Sequence, residues 1–272
     1  MSFRPASIEL FPVANNRRSI TAAANTISLS FSRDPLIQWL RPNSQAWECL
    51  HNPSNKWQYR RVQRALYEGI VLQSASVSQL LKSAATPLKK DVQISPSGVA
   101  NTIQGGYSVN HGNISFTESE DSGAVVILFP PKNLLRWNLR RIFWAFKIWF
   151  LDLWDPARDP ETDELRLEKL LAAHETGFLK LRSQHKSSNL WYLEVIGIHP
   201  FLQSCGLGKR VMQQVFKYTE NSCIALECTR ESNIPFYEKL GFQVVDEVKL
   251  TCSSQATSEE SDTVKYWLMI KD

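Results

Sequence analysis

The stretch Leu190-Trp-Tyr-Leu-Glu-Val-Ile-Gly-Ile198 is almost wholly apolar and runs into a turn at His199-Pro200. Gln203-Ser204-Cys205-Gly206-Leu207-Gly208 follows, and then a helical pattern with Leu207, Val211, Met212, Val215 and Phe216 on one stripe. This reads as a strand feeding a glycine-bearing loop that opens a helix. The first turn of such a helix leaves backbone N–H groups unpaired at the positive end of its dipole. A strand–loop–helix of this kind is an anion site, and phosphate is its usual occupant. One charge, Glu194, interrupts the apolar strand. Burial is what turns a carboxylate into a useful base, and that makes Glu194 a candidate for proton abstraction; the equal alternative is a buried carboxylate paired with a cation elsewhere in the chain.

Outward from this centre, the chain alternates helical and strand patterns. Toward the N-terminus, Ala6–Val13 reads as a strand, 17–31 as a helix capped by Asn15-Asn16, and the segment after Asp34-Pro35 as a short helix. Pro53–Val71 reads as a second helical stretch, 74–112 as a long polar loop, and Asn113–Thr117 with Ala124–Phe129 as a hairpin. Residues 132–154 are helical and apolar nearly all round, which points to an insertion helix packed on the core rather than one lying on a membrane surface. Glu161–Lys180 reads as another helix, with His174 as a structural residue. Beyond the central stretch come a strand at Ser222–Cys228, a brief helix over 233–240 ended by Gly241, and a long-looped antiparallel pair at 242–250 and 264–270.

Bulk properties narrow the class. At 272 residues, with 43% apolar and 21% charged residues, the chain is long enough for a substantial core. Its net charge of +4 is uneven, with +7 over residues 1–110 and −3 over the rest. A basic first half suits an anionic ligand, although a solvated surface explains it more simply. Five cysteines show no metal-ligand spacing, so no metal is expected. No apolar run reaches the roughly 20 residues of a membrane span, and no nucleic-acid motif accompanies the arginines at 60, 61 and 64. Reduced cysteines and the absence of a signal-like N-terminus lead to the expectation of a cytoplasmic or nuclear protein.

A second block follows one strand later: Asn233-Ile-Pro-Phe-Tyr237-Glu-Lys-Leu-Gly241-Phe242. Its Asn233 and Tyr237 stand four residues apart, on one helix face. Neither a Rossmann fingerprint nor a Walker A loop fits Gln203-x-x-Gly206-x-Gly208, because Val211 replaces the third glycine and the GK[ST] ending is missing. Taken together, the two blocks resemble the GNAT superfamily of acyl-CoA-dependent N-acetyltransferases. Within it the likeness is nearest to the puromycin N-acetyltransferase-like small-molecule acetyltransferases. The tracts WYLEVIGIHPFLQSCGLG and ALECTRESNIPFYEKLGF and the end KYWLMIK carry it.

That resemblance implies an α/β fold with a mixed, mostly antiparallel twisted sheet flanked by helices. It implies one domain over residues 1–272, lengthened by insertions at about 74–112 and 132–186. The cosubstrate it implies is acetyl-CoA. The pyrophosphate would be held by Gln203, Ser204, Cys205, Gly206, Leu207, Gly208 and Lys209, and the pantetheine arm would pair with Val195, Ile196, Gly197 and Ile198. Asn233, Phe236 and Tyr237 would complete the site, with Tyr237 as the acid that protonates the departing thiolate. Asn233 doubles as a candidate helix N-cap. For the base, Glu194 and Glu227 are both candidates, His199 in its turn ranks lower as a water-facing side chain, and Cys205 reads as loop filler. Ser204 stands where relatives usually have glycine, so a positive φ there would strain the loop. The expected reaction is direct transfer of acetyl to the primary amine of a small molecule. A protein or peptide acetyltransferase and a non-catalytic acyl-CoA sensor are the alternatives.

Overall fold

Asn16 accepts a hydrogen bond from the Ser19 amide (2.9 Å) and so starts α1, Arg17–Ser30. Asp34 does the same for α2, Pro35–Leu40, accepting from the amides of Leu36 and Ile37. Both helices stand where their capping residues predict them. The computed structural model describes residues 8–42, 56–84, 121–131, 139–154, 161–184, 189–252 and 263–272. The expected first arm of a hairpin at Asn113–Thr117, most of the 74–112 loop, and Cys49 lie outside the described residues.

After α2 come α3 (Lys56–Glu68), α4 (Val77–Ala84), α5 (Leu139–Trp154), α6 (Glu164–Gln184), α7 (Leu207–Tyr218) and the short α8 (Ile234–Glu238). Strands β1 (Phe11–Pro12), β2 (Ile70–Gln73), β3 (Ala124–Phe129), β4 (Trp191–Ile198), β5 (Ile224–Cys228), β6 (Gln243–Thr251) and β7 (Thr263–Lys271) form one sheet. Its order is β1-β2-β3-β4-β5-β7-β6, and every neighbouring pair is antiparallel except β4 with β5. The mixed, mostly antiparallel sheet expected from the sequence is therefore present.

Helices cover both faces. On one, α7 places Leu207, Val211, Met212 and Val215 against Val126, Leu193, Leu226 and Met269. On the other, α1 and α3 place Ile20, Ala23, Ile27, Val62 and Ala65 against Val71, Val125, Ile127 and Val195. Further along that face α6 sets Phe178 and Leu181 on Ala225, Leu268 and Ile270. Strands buried on both sides lose their polar–apolar alternation, which is why the central strand reads as a continuous apolar run.

Four expectations need correction. The helical stretch after Pro53 stops at Glu68, and Ile70–Gln73 is strand β2, because these β-branched and leucine side chains fill a slot beside β3. The first strand shrinks to Phe11–Pro12, where proline removes a ladder donor. Residues 77–84 form a helix rather than loop, with Val77 and Leu80 buried in the core. Most of all, the described side chains of α5 lie mainly in water, with Ile148 half-buried, although the helix packs along α3. Phe143 and Phe146 are each 63% exposed, Trp149 59% and Trp154 78%.

β4 carries a bulge that the sequence does not announce. Ile127 pairs with Val195 and Leu128 with Leu193, so Glu194 has no partner in β3. The extra residue inverts the alternation of the strand. Trp191 and Leu193 join the core under α7, whereas Val195 joins the core under α1. The phase shift turns Tyr192 and Glu194 toward the helices of that second face, where Tyr192 meets Phe178 of α6 and Glu194 meets Arg61 of α3.

Candidate active site

The parallel pair β4–β5 is short. Trp191, Tyr192 and Leu193 face Ile224, Ala225 and Leu226, and beyond them the two strands separate. Val195–Ile198 then pair only with β3, while Glu227 and Cys228 pair only with β7. The split opens a cleft of about 2070 Å3 that runs between the α7 side and the α6 side of the sheet.

At one end stand Gln203, Ser204, Gly206, Leu207, Gly208 and Lys209. Gln203 is anchored by its side-chain amide, which donates to the Ile198 carbonyl (2.9 Å). Ser204 and Gly206 both adopt left-handed backbone, with φ of 61° and 73°. These two reversals let the loop wrap ahead of α7, whose first amides have no intrahelical acceptor. The strain anticipated at Ser204 is thus present. A left-handed serine costs about 1–2 kcal/mol relative to its right-handed form, partly offset by the extra entropy a glycine would lose. Ser204→Gly is therefore expected to stabilise the protein by about 0.5–1 kcal/mol. Thermal unfolding should show a rise of a few degrees at most, and a fall would mean that the serine hydroxyl makes a contact worth more than the strain.

Asn233, Phe236 and Tyr237 border the same cleft. Phe236 lies over Gly208, where an added Cβ would stand 3.4 Å from the ring. Asn233 makes no capping bond, its side chain is exposed, and it ends a 3-10 turn ahead of α8. Asn233 holds the N-cap position of α8 without the capping bond, and the shared helix face with Tyr237 is reduced to one turn of 3-10 and one of α-helix. Tyr237 is buried, with its ring edge-on between Phe236 (5.1 Å) and Phe242 (5.8 Å). Burial, with smaller contributions from Cys228 and Asp34, pushes its phenol well above the usual tyrosine range. Asp34 reaches this region from α2 and accepts a short hydrogen bond from the Thr229 hydroxyl. Burial raises its pKa, against the lowering effect of Thr229 and the two capping amides.

The other end of the cleft is built on Glu227. One carboxylate oxygen lies 3.0 Å from Nδ1 of His174 on α6, and the other accepts from the Tyr192 hydroxyl at 3.1 Å. Desolvation lowers the His174 pKa, but the hydrogen bond to Glu227 and the charges of Glu227 and Glu194 outweigh it and leave the imidazole above its ordinary value. Burial first, and then the same two carboxylates, drive the Tyr192 phenol well up, so it stays a proton donor. Phe178 completes an aromatic wall, 4.5 Å from Tyr192 and 4.7 Å from His174 between ring centroids.

Several expectations change here. His174, read as structural, faces the cleft and holds Glu227; its i, i+4 neighbour Phe178 is the only local signal. Of the two readings of Glu194, the carboxylate paired with a cation is the one the structure shows. Arg61 holds it through Nε (3.0 Å) and Nη2 (2.9 Å), and the pair is 25% and 22% exposed. His199 does not face water. It is 1% exposed, accepts from the Phe201 amide, stands 4.0 Å from Asp121, and burial lowers its pKa. Ile196 and Ile198 border the cleft, whereas Val195 and Gly197 turn their side-chain positions to the α1 face. Cys205 is not among the residues lining the cleft. Tyr192, Arg61, Asp34 and Thr229 join the lining without any motif to mark them. Among the described residues no group of His, Cys, Asp and Glu could hold a metal ion.

Residues 137–242 match the model of the acetyltransferase (GNAT) family. Over the whole chain, the fold is similar to that of arylalkylamine N-acetyltransferase 2 from Aedes aegypti, with a TM-score of 0.54 at 11% identity, covering 97% of this chain and 98% of that one. Weaker likenesses, with TM-scores of 0.45 and 0.46, join it to the polyamine N-acetyltransferase of Drosophila melanogaster (12% identity, 97% and 99% covered) and to a Corynebacterium glutamicum structure of histone acetyltransferase HPA2 and related acetyltransferase (10% identity, 97% and 96% covered). At such identities the likeness is one of fold.

Proposed function

We propose that this chain, a member of the GNAT acetyltransferase superfamily, transfers the acetyl group of acetyl-CoA to the primary amine of a small molecule by direct attack. The observation that carries this reading is the convergence on one cleft of the loop Gln203–Lys209, the buried phenol of Tyr237, and the His174–Glu227 pair on opposite sides of the β4–β5 split.

The residues fit the cosubstrate. Open amides at the start of α7 suit a pyrophosphate, and Lys209 beside them adds positive charge. Val195–Gly197, lacking a partner on the β5 side, offer backbone groups to an amide-bearing arm, while the Ile198 carbonyl is taken by Gln203 and Ser30. A backbone N–H there would polarise the thioester carbonyl.

The chemistry then follows from the side chains. An amine arrives as an ammonium and must lose a proton before it attacks. The neutral His174, with Nδ1–H directed at Glu227, keeps its other nitrogen free to take that proton. The amine nitrogen bonds to the thioester carbon and sheds its second proton to solvent, the carbon–sulfur bond breaks, and the departing thiolate takes the Tyr237 proton, which solvent then restores. Because burial keeps that phenol protonated, the proton is retained until the thiolate forms. Glu194, held by Arg61, serves to set the charge of the acceptor side rather than to abstract the proton. Site roles, the single-domain reading of residues 1–272 and a cytoplasmic setting belong to the same proposal.

The acceptor side sets Glu175 and Glu227 beside Phe178, Tyr192 and Leu171, while Glu194 is compensated by Arg61, and Arg60, Arg64 and Arg182 also line the cleft. Carboxylates with an aromatic and aliphatic wall suit an ammonium carried on an apolar body, and an arylalkylamine has that form. Calorimetric titration with acetyl-CoA, followed by turnover on a panel of arylalkylamines, polyamines and short peptides, tests this. Micromolar acetyl-CoA binding with turnover on the arylalkylamines is expected. Absence of acetyl-CoA binding would sink the cosubstrate reading, turnover on peptides alone would move the acceptor class, and binding without turnover on any amine would point to a sensor.

A further inference from the structure

The helix α5 lies away from the cleft and packs along α3. Its exposed apolar residues share one face. Ile142, Phe146, Trp149, Phe150, Leu153 and Trp154 follow the spacing i, i+4, i+7, i+8, i+11 and i+12, and each is between 47% and 78% exposed. Ile148, on the opposite side, is half-buried. An apolar stripe of this size on a soluble surface calls for an occupant.

Charge decides which occupant fits. From Lys132 to Trp154, the end of α5, the sequence carries Lys132, Arg136, Arg140, Arg141 and Lys147 against the single acid Asp152. A two-fold contact with a second copy would set this basic segment against itself, and like charges at an interface oppose association. A surface of anionic lipid supplies the opposite charge together with an apolar layer for the aromatic rings. Tryptophan and phenylalanine backed by lysine and arginine are the composition of helices that lie in the plane of such a surface. At 16 residues α5 is about 24 Å long, and no described helix is long and apolar enough to cross a membrane. We infer that α5 docks the protein on the surface of an anionic membrane, with Phe146, Trp149, Phe150 and Trp154 entering the headgroup boundary and the net positive charge of the 132–154 sequence drawing it to anionic headgroups.

The test uses the full chain and sedimentation with vesicles of phosphatidylcholine alone or with about one-third phosphatidylserine. Binding to the anionic vesicles is expected, weakening as salt is raised, with at most a tenth as much affinity for the neutral ones. Replacing Phe146 and Trp149 together by serine should reduce binding at least tenfold. Lys147→Glu should reduce it several-fold. Both variants should keep the parent's thermal midpoint and acetyl-CoA affinity, which separates lost docking from lost folding. No sedimentation with either vesicle, or equal binding to both, overturns the inference. So does a concentration-dependent dimer in analytical ultracentrifugation that the double substitution abolishes, since a second copy would then cover the stripe.

Discussion

Tyr237→Phe should lower kcat about 100-fold and leave the affinity for acetyl-CoA within about twofold. Positioned general acids contribute roughly 10²–10⁴ to rate, and the lower part of that range suits a leaving thiolate whose reference pKa, near 8.5, is already low. The substitution removes one oxygen from a buried ring and nothing else. That ring keeps its edge-on contacts with Phe236 and Phe242, so the shape of the wall beside Gly208 survives. Among the described residues no hydrogen bond is made by the Tyr237 hydroxyl, so its loss leaves no orphaned partner in the protein. A fall in kcat with unchanged binding is the signature of an interaction made in the transition state only. Steady-state kinetics with calorimetric titration of both proteins would decide it. Unchanged kcat would remove Tyr237 as the acid.

The contrast between Tyr237 and His174 shows what the sequence could and could not disclose. Tyr237 belongs to a contiguous block, Asn233 to Phe242, and the loop proposed for phosphate is likewise contiguous from Gln203 to Lys209. Local chain geometry builds both, so a local reading can pick them out as candidates, and the positive φ considered for Ser204 is present. His174 and Glu227 are 53 residues apart and meet only because α6 crosses the sheet over β5. Nothing in either neighbourhood encodes that crossing. The partner of Glu194 is hidden for a related reason. Its ion pair with Arg61 depends on the bulge opposite Ile127 and Leu128, and a run of apolar residues gives no sign of a skipped partner. His199 misleads in the opposite sense. A turn is ordinarily wet, but this one is folded under Asp121 and Phe201.

The exposure of α5 carries the same lesson on a larger scale. A helix of Trp, Phe, Ile and Leu is expected inside, because burial of such side chains stabilises by about 1.5–3 kcal/mol each. Both faces of the sheet are already covered by α1, α3, α6 and α7, and no uncovered core face is left for it among the described elements. Composition reports what a segment would gain by leaving water. It does not report whether the fold has room.

Glu227→Gln should change the pH dependence of acetyl transfer as well as its rate. In the parent protein the Glu227 carboxylate, helped by Glu194, holds the His174 imidazolium above its ordinary pKa despite partial burial. A base must be unprotonated to act, so kcat/KM for the amine should fall as pH drops through that raised value, with a midpoint above about 6.5. Glutamine keeps the size and a hydrogen-bonding oxygen but removes the charge. Desolvation of His174 then prevails, and the acid limb should move to lower pH. Because the amide no longer stabilises the imidazolium formed in the transition state, kcat/KM at the plateau should fall about 10–100-fold. The same linkage acts on stability. A group whose pKa is raised by folding stabilises the fold below its unfolded pKa and ceases to do so as pH rises through the folded one. Thermal midpoints of the parent should therefore decline slightly between about pH 6 and pH 8, and Glu227→Gln should flatten that decline. Parallel pH–rate profiles for Glu227→Gln, His174→Gln and the parent make the assignment. If the acid limb stays in place in both variants, the titrating base lies elsewhere, and Glu194 with its Arg61 partner becomes the group to test.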